Sequence, residues 1–188
     1  MPSIGKSRIM ILATDGFEQS ELEVPLKTLK DAGARVDVVS LKGGEITGWD
    51  KKDWGSAVKV DRTLEAANPA DYDALVLPGG QINPDLLRVE KDAVEFVEAF
   101  AGTGKPLAAI CHAPWLLIEA GVVAGKRATS YKSIATDMKN AGAKWEDAET
   151  VVDGNIITAR NPGDLKAFCN AIVEAVENAD TGHRAAAE

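Results

Sequence analysis

Short apolar runs alternate along this chain with longer segments in which apolar residues recur every three or four positions. Residues 8–13 and 73–77 are nearly continuous apolar runs, which are typical of strands buried on both faces of a parallel sheet. Residues 106–110 form a third run of this kind, whereas residues 91–101 have the spacing of a helix. The alternation predicts an α/β fold with a mostly parallel central sheet and helices on both of its faces.

The remaining segments continue the same alternation. A helix is expected to begin at the capping-box pair Ser20 and Glu23 and to close at Gly33. Residues 42–62 contain several glycines and short alternating stretches, which predict a loop with short strands lying over the main sheet. Further strands are predicted at residues 35–40 and 127–129 and in a hairpin at 150–157, and further helices at residues 83–88, 134–141 and 163–178.

One domain is predicted over residues 1–188, because a chain of 188 residues with 45% hydrophobic residues can bury a full core. Residues 179–188 have no core pattern and are expected to form a frayed tail. The formal net charge of −8 disfavours attraction to anionic membranes and argues against direct sequence-specific binding of nucleic acid. No apolar stretch is long enough to cross a bilayer, and residues 1–8 contain no signal-peptide core. The expected location is therefore the cytoplasm.

Two cysteines, Cys111 and Cys169, are too few for a disulfide framework or a cysteine-rich zinc site. No cluster of histidine, cysteine and carboxylate residues has the spacing of metal ligands, so neither a metal nor a cofactor is expected. Cys169 lies in a segment with helical apolar spacing, where a cysteine acts as a small core residue.

Cys111 occupies a more informative position, at the corner where a buried strand is predicted to turn into a helix that opens at Pro114. Ala109 and Ala113 flank it in the pattern small-x-Cys-x-small, the cysteine counterpart of the nucleophile elbow. A buried cysteine without a chemical role is the alternative, but such a cysteine has no reason to lie at this corner beside His112. The helix N-terminus and the N–H groups of the elbow are expected to favour the thiolate.

Three predicted strand ends carry the other polar and glycine-rich segments. Residues 15–21 follow the first strand, Gly79 and Gly80 follow the third, and Cys111 and His112 follow the fourth. In parallel sheets, ligands bind beyond the carboxyl ends of the strands, and a double glycine lets the backbone present its N–H groups to them. The sequence therefore predicts one composite site at this edge of the sheet.

Several segments resemble motifs of one known family in their order and spacing. They are residues 16–22, 75–80, 83–88, 109–114, 129–131 and 151–155. The chain resembles the ThiJ/PfpI superfamily, specifically its branch of PfpI-type intracellular proteases and stress-protective deglycases, over residues 8–176. This resemblance implies a flavodoxin-like three-layer sandwich, similar to class I glutamine amidotransferases, with the nucleophile elbow at Cys111.

The resemblance also implies roles for site residues. Cys111 would be the nucleophile, Glu21 the carboxyl group that contacts its sulfur, and Tyr131 a residue near the mouth of the site. The N–H groups of Gly80 and His112 would form an anion pocket. Because an ionised carboxylate beside a thiolate raises both pKa values, our hypothesis is that Glu21 keeps its proton, donates a hydrogen bond to the sulfur and relays the proton. From spacing alone, Glu21 is equally compatible with a first-turn carboxylate that complements a helix dipole.

Asp85 is the position that the resemblance connects with a second subunit. In the protease-like members, the histidine that matches His112 is oriented by an acidic residue contributed across a subunit interface, and the family archetype has Glu where this chain has Asp85. From the residues alone, Asp85 is also compatible with an acidic residue that opens a helix. The resemblance thus implies a homodimer or a hexamer.

The leading functional hypothesis is an enzyme in which Cys111 attacks a carbonyl carbon. The substrate would be a small-molecule adduct of a reactive aldehyde such as methylglyoxal, a glycated protein, or a peptide. Glutamine amidotransfer is poorly supported, because it needs a downstream histidine and the chain offers only His183 near its end. The alternative without turnover is a redox sensor or holding chaperone in which Cys111 is oxidised to a sulfinic acid.

Overall fold

The computed structural model describes residues 4–185, with side chains through residue 179. Its strands are β1 (Arg8–Leu12), β2 (Phe17–Glu18), β3 (Arg35–Ser40), β4 (Glu45–Asp50), β5 (Asp53–Lys59), β6 (Arg62–Thr63), β7 (Ala74–Leu77), β8 (Leu107–Ile110), β9 (Arg127–Ala128), β10 (Lys144–Trp145), β11 (Thr150–Asp153) and β12 (Ile156–Ala159). Its helices are α1 (Gln19–Asp31), α2 (Ile82–Leu87), α3 (Lys91–Gly102), α4 (Pro114–Glu119), α5 (Ala135–Asn140) and α6 (Leu165–Ala185).

The main sheet has seven strands in the order β11-β12-β8-β7-β1-β3-β6. Its strands run parallel, except that the edge strand β11 is antiparallel to β12. Strands β1, β7 and β8 are neighbours in the middle of this sheet. Their carboxyl ends therefore open at the same place, as the sequence predicts for the composite site.

Both faces of the main sheet are buried, as the continuous apolar runs predict. In β1, Ile9 and Ile11 belong to the core on one face, whereas Met10 and Leu12 belong to the core on the other. Helices α1 and α6 cover the first face, and α3 and α4 cover the second. The predicted α/β fold, with helices on both sides of a mostly parallel sheet, is confirmed.

Residues 42–62 contain the predicted short strands, and the longest two, β4 and β5, form a hairpin. Its strands β4 and β5 join β2 in a separate three-stranded sheet. Lys51, in the turn, has a positive φ of 57°, and the rings of Trp49 and Trp54 meet edge to face at 5.6 Å on the adjoining strands. This hairpin brings its tip to the candidate site.

The predicted strand at 127–129 is present as β9, and it pairs with β10 in a separate two-stranded sheet. Two other local predictions were wrong in detail. Ser20 does not cap α1: β2 leads directly into the helix at Gln19, and the Ser20 hydroxyl bonds to Glu18 at 3.1 Å. Helix α6 continues to Ala185, beyond the expected end at 178. The last residues of the predicted tail, 186–188, lie outside the described residues.

Within residues 4–185, no helix has both the length and the apolar character needed to cross a membrane. The same part of the chain contains no group of three or more His, Cys, Asp or Glu side chains arranged to hold a metal ion.

Candidate active site

Cys111 lies at the sharp turn between β8 and α4. Its φ is +65°, a left-handed conformation that costs a residue with a Cβ atom about 1–2 kcal/mol. Two backbone bonds hold the turn: the Cys111 N–H donates to the Ala159 carbonyl at 3.0 Å, and the Ala113 N–H donates to the Ile110 carbonyl at 3.0 Å. The side chain is 5% exposed. The structure thus places the thiol at a strained strand-to-helix corner.

Gly79 and Gly80 bring the loop after β7 against this thiol. The Gly79 N–H donates to Oε2 of Glu21 at 2.9 Å. A Cβ atom on Gly79 would lie 2.5 Å from Oε2 of Glu21 and 2.7 Å from Cβ of Cys111, so only glycine fits between the two side chains. Gly80 has a φ of +84°, and its N–H, with that of His112, bonds to the Cys111 sulfur. The two N–H groups that the resemblance assigns to an anion pocket thus both meet at the sulfur.

Glu21 is fully buried in the first turn of α1, and this burial determines its protonation. Desolvation, reinforced by the negative charge of Glu18, raises the pKa of Glu21 to about 8, although the Gly79 N–H and the Cys111 thiol oppose the rise. Its Oε1 atom has no nitrogen or oxygen partner among the described residues. At neutral pH the carboxyl group is therefore mainly protonated beside the sulfur, which supports the hypothesis that Glu21 keeps its proton.

The pKa of the Cys111 thiol shifts upward, whereas the sequence predicted a shift that favours the thiolate. Burial, followed by the charge of Glu21, raises its pKa, and the N–H groups of Gly80 and His112 only partly oppose this rise. Helix α4 is only six residues long and does not reverse the effect. Because Glu21 is neutral below about pH 8, its repulsion acts mainly above that pH. A nearby group must therefore accept the thiol proton during reaction.

His112 is the nearest group of that kind. Its Nδ1 atom lies 3.2 Å from Sγ of Cys111, so the turn brings the ring to the neighbouring sulfur. Burial lowers the pKa of His112, which keeps the ring neutral and able to accept a proton at neutral pH. The ring stacks on Tyr131 at 4.7 Å between centroids, and its Nε2 atom lies 3.0 Å from Oγ of Ser133.

A cavity of about 420 Å³ opens at the carboxyl edge of the sheet, and its lining includes Glu21, Gly80, Cys111 and His112. The hairpin contributes Trp49 and Lys51 to its wall. Tyr131, which is 40% exposed, stands at the mouth, where the resemblance places it. Its N–H donates to the Cys111 carbonyl at 2.7 Å, which ties the mouth to the elbow. The cavity is large enough for a small adduct or a short peptide segment.

Asp85 is not brought to the site within one chain. It is exposed on α2, and it has no hydrogen bond or ion pair among the described residues. Ile82, Leu86 and Val89 flank it as an exposed apolar stripe, with exposed fractions of 37%, 45% and 77%. The described chain thus leaves Asp85 free to meet another molecule.

Asn83 is a site residue that the sequence did not single out. Its side-chain N–H groups donate to the carbonyls of Pro78 (2.8 Å) and Gly79 (3.3 Å), and its Oδ1 atom accepts from the Thr14 N–H at 2.7 Å. This fully buried amide joins the ends of β1 and β7. The adjoining Pro84 was the visible signal, but it indicated only the start of a helix.

Replacing Asn83 by Ala should lower the free energy of unfolding by about 1–3 kcal/mol, because the buried Thr14 N–H would lose its acceptor. Urea unfolding measures this loss. Asn140→Ala is the matched control, since Asn140 is exposed at the end of α5, and a change within about 0.5 kcal/mol is expected there. Equal losses in the two variants would contradict a joining role for Asn83.

Comparison with known proteins identifies one family, and two of the relatives carry different kinds of name, deglycase and cysteine protease. The model of the DJ-1/PfpI family matches residues 7–175. The chain is 48% identical over 167 residues to a Pyrococcus abyssi protein named deglycase, covering 89% of this chain and 98% of that protein. It is 44% identical over 162 residues to a Bacillus subtilis protein named as a candidate cysteine protease, covering 86% of this chain and 93% of that protein.

A solved structure shows the same fold. A two-domain protein of Anabaena variabilis, which contains DJ-1/ThiJ/PfpI-like and ferritin-like domains, superposes with a TM-score of 0.85 at 39% identity. The match covers 90% of this chain and 48% of that one, so this chain spans about half of its length.

The family match includes the elbow, the double glycine and Glu21, and it extends over most of the main sheet. The names of the relatives support a function of the deglycase or protease type. Together with the fold, these matches show that the chain belongs to the DJ-1/PfpI family.

Proposed function

We propose that this protein is a cysteine-dependent hydrolase that removes adducts formed by reactive aldehydes on amine and thiol groups. One observation carries the proposal: the Cys111 sulfur meets a mainly protonated Glu21, Nδ1 of His112 and the N–H groups of Gly80 and His112 in one cavity. This set can supply a nucleophile, a proton donor, a proton acceptor and a pocket for negative charge.

The chemistry follows from these groups for a methylglyoxal adduct of an amine. The sulfur bonds to the carbon that carries the nitrogen, the carbon–nitrogen bond breaks, and the amine leaves with a proton. Glu21 then gives its proton to the ketone oxygen and takes the proton of the sulfur-bearing carbon, which forms an enediol. It returns that proton to the second carbon and takes the hydroxyl proton of the first, which leaves a lactoyl thioester on Cys111 and Glu21 protonated again. Water cleaves the thioester to lactate and the free thiol. The net change consumes one water per adduct and needs no external oxidant, because one carbon is oxidised while its neighbour is reduced.

Peptide cleavage is the second candidate, and the contact between Cys111 and His112 favours it. After accepting the thiol proton, His112 could pass it to the departing amine, which a peptide bond requires. The name of the Bacillus subtilis relative points the same way. Both reactions require a reduced Cys111, so we expect the protein to act in a reducing compartment such as the cytoplasm.

The test uses the wild-type protein and a preformed methylglyoxal adduct of N-acetyl-lysine, with aminoguanidine present to capture any free methylglyoxal. Lactate and free N-acetyl-lysine should appear in equal amounts. Cleavage of a fluorogenic peptide without lactate release would replace the deglycase proposal with the protease. No turnover of either substrate, together with selective addition of two oxygens to Cys111 in mild peroxide, would favour the redox sensor.

We further propose that Asp85 acts across a subunit interface in a homodimer or hexamer. Its exposure and the apolar stripe beside it support this arrangement. Asp85→Asn should lower peptide cleavage by about tenfold or more, through weaker orientation of the partner's imidazole.

Mixing two impaired variants tests the arrangement directly. Chains with Cys111→Ser supply an intact Asp85, and chains with Asp85→Asn supply an intact thiol. After subunit exchange, peptide cleavage should rise toward the level of a complete site. A mixture that is no more active than the Asp85→Asn chains alone would contradict a role in trans.

A further inference from the structure

The outer nitrogen of His112 has a partner inside the same chain. Its Nε2 atom lies 3.0 Å from Oγ of Ser133, and its Nδ1 atom lies 3.2 Å from Sγ of Cys111. The three side chains thus form a line of polar contacts, with the imidazole in the middle. Neither the spacing of the sequence nor the residues carried over from the family singled out Ser133.

Ser133 is exposed, but the backbone on both sides of it is tied to the elbow. The Tyr131 N–H donates to the Cys111 carbonyl at 2.7 Å, and the Ile134 N–H donates to the Tyr131 carbonyl at 3.1 Å. Ile134 is 2% exposed and anchors this tight turn in the protein. The position of Ser133 relative to His112 is therefore fixed by the same backbone that positions the nucleophile.

The protonation state of Cys111 limits which nitrogen of the His112 ring carries the hydrogen. A neutral imidazole has one N–H group and one acceptor nitrogen. Because the Cys111 pKa is raised, the sulfur holds its proton and needs an acceptor, which Nδ1 provides. With Nδ1 as this acceptor, the hydrogen of the neutral ring is on Nε2, and the Ser133 oxygen can accept it. When Nδ1 takes the thiol proton during reaction, Nε2 keeps its hydrogen and the bond to Ser133 persists.

We propose that Ser133 is a positioning residue that selects the Nε2–H tautomer of His112 within a single subunit. The catalytic consequence rests on the proposed function, whereas the tautomer itself does not. A hydroxyl carries no charge, so it orients the ring without stabilising an imidazolium as a carboxylate would. Ser133 and a partner's Asp85 would therefore compete for the same Nε2–H group, and Ser133 orients the ring when no partner supplies a carboxylate.

The test is nitrogen-15 NMR of the imidazole, because the two tautomers have different nitrogen shifts. The chain has two histidines, so a His183→Gln background leaves His112 alone to be observed. The comparison set is Ser133→Ala, Ser133→Thr and Lys132→Ala, all in this background. Lys132 is the exposed neighbour of Ser133 and serves as the matched control.

The background protein, the Thr variant and the Lys132 variant should show the Nε2–H tautomer. Ser133→Ala should show a mixture, and its kcat for the adduct should fall about tenfold, the value of one neutral hydrogen bond, with little change in KM. An Ala variant that keeps the Nε2–H tautomer would overturn the proposal, as would a Thr variant that behaves like Ala. If no protein turns over the adduct while the tautomer still depends on Ser133, the proposed function fails and the positioning role stands.

Discussion

Replacement of Cys111 by Ser is expected to slow the release of lactate from methylglyoxal adducts by at least about a thousandfold. A serine hydroxyl is a much weaker acid than a thiol, and burial together with Glu21 already opposes an anion at this position. The substitution changes one atom and leaves the backbone of the elbow intact. The loss should therefore appear in kcat under saturating adduct, while circular dichroism and the thermal midpoint stay close to those of the wild type.

Cys169→Ala is the matched control for this loss. Cys169 is 2% exposed on α6, in the core between α6 and α1, and it does not line the cavity. This variant should keep wild-type turnover, even if it loses about 1 kcal/mol of stability through the small void that it creates. Retained activity in Cys111→Ser, or equal losses in both variants, would reject a covalent role for Cys111.

The position of Cys111 at the turn between β8 and α4 could be predicted because independent local signals meet there. An apolar strand pattern ends at Ile110, small residues flank Cys111, and Pro114 indicates the start of a helix. The location of Gly79 and Gly80 could be predicted for a related reason, since both glycines follow a buried strand. The topology then places the strand ends together, because parallel strands in the middle of a sheet share one edge.

Contacts made by turns far apart in sequence could not be predicted in the same way. Ser133 reaches His112 across 21 residues, and Asn83 reaches the Thr14 N–H across 69 residues. Such contacts depend on how short turns pack in three dimensions, and periodicity contains no information about them. Strand β10 was missed for a different reason, because a strand of two residues has no recognisable periodic pattern.

The protonation state of Glu21 could be predicted from the sequence, whereas that of Cys111 could not. Charge repulsion alone argues that Glu21 must be neutral beside a thiolate, and its pKa of about 8 agrees with that argument. For Cys111, the elbow geometry suggested an activated thiolate. The degree of burial, which only the folded chain reveals, instead raises the pKa of the thiol. The proposed reaction therefore requires proton transfer from the thiol rather than a preformed anion.

Glu21→Gln tests that dependence, because the amide keeps the shape of the carboxyl group but has no proton to relay. Adduct turnover should fall by about 10²–10⁴-fold, the usual contribution of a positioned acid–base group. Glu23→Gln is the control on the same helix, and it should keep wild-type turnover because Glu23 does not line the cavity. Turnover in Glu21→Gln within about threefold of the wild type would contradict the relay.

The same substitution should change how stability depends on pH. The folded protein keeps the Glu21 proton up to a pKa of about 8, whereas the unfolded chain releases it near 4.5. Between these values unfolding releases a proton, so rising pH favours the unfolded state, by about 1.4 kcal/mol per pH unit from this group. From pH 5 to pH 8, the wild type should therefore lose on the order of 4 kcal/mol that Glu21→Gln retains. Urea unfolding of both proteins across this range measures the difference, and parallel curves would show that Glu21 is ionised in the folded protein.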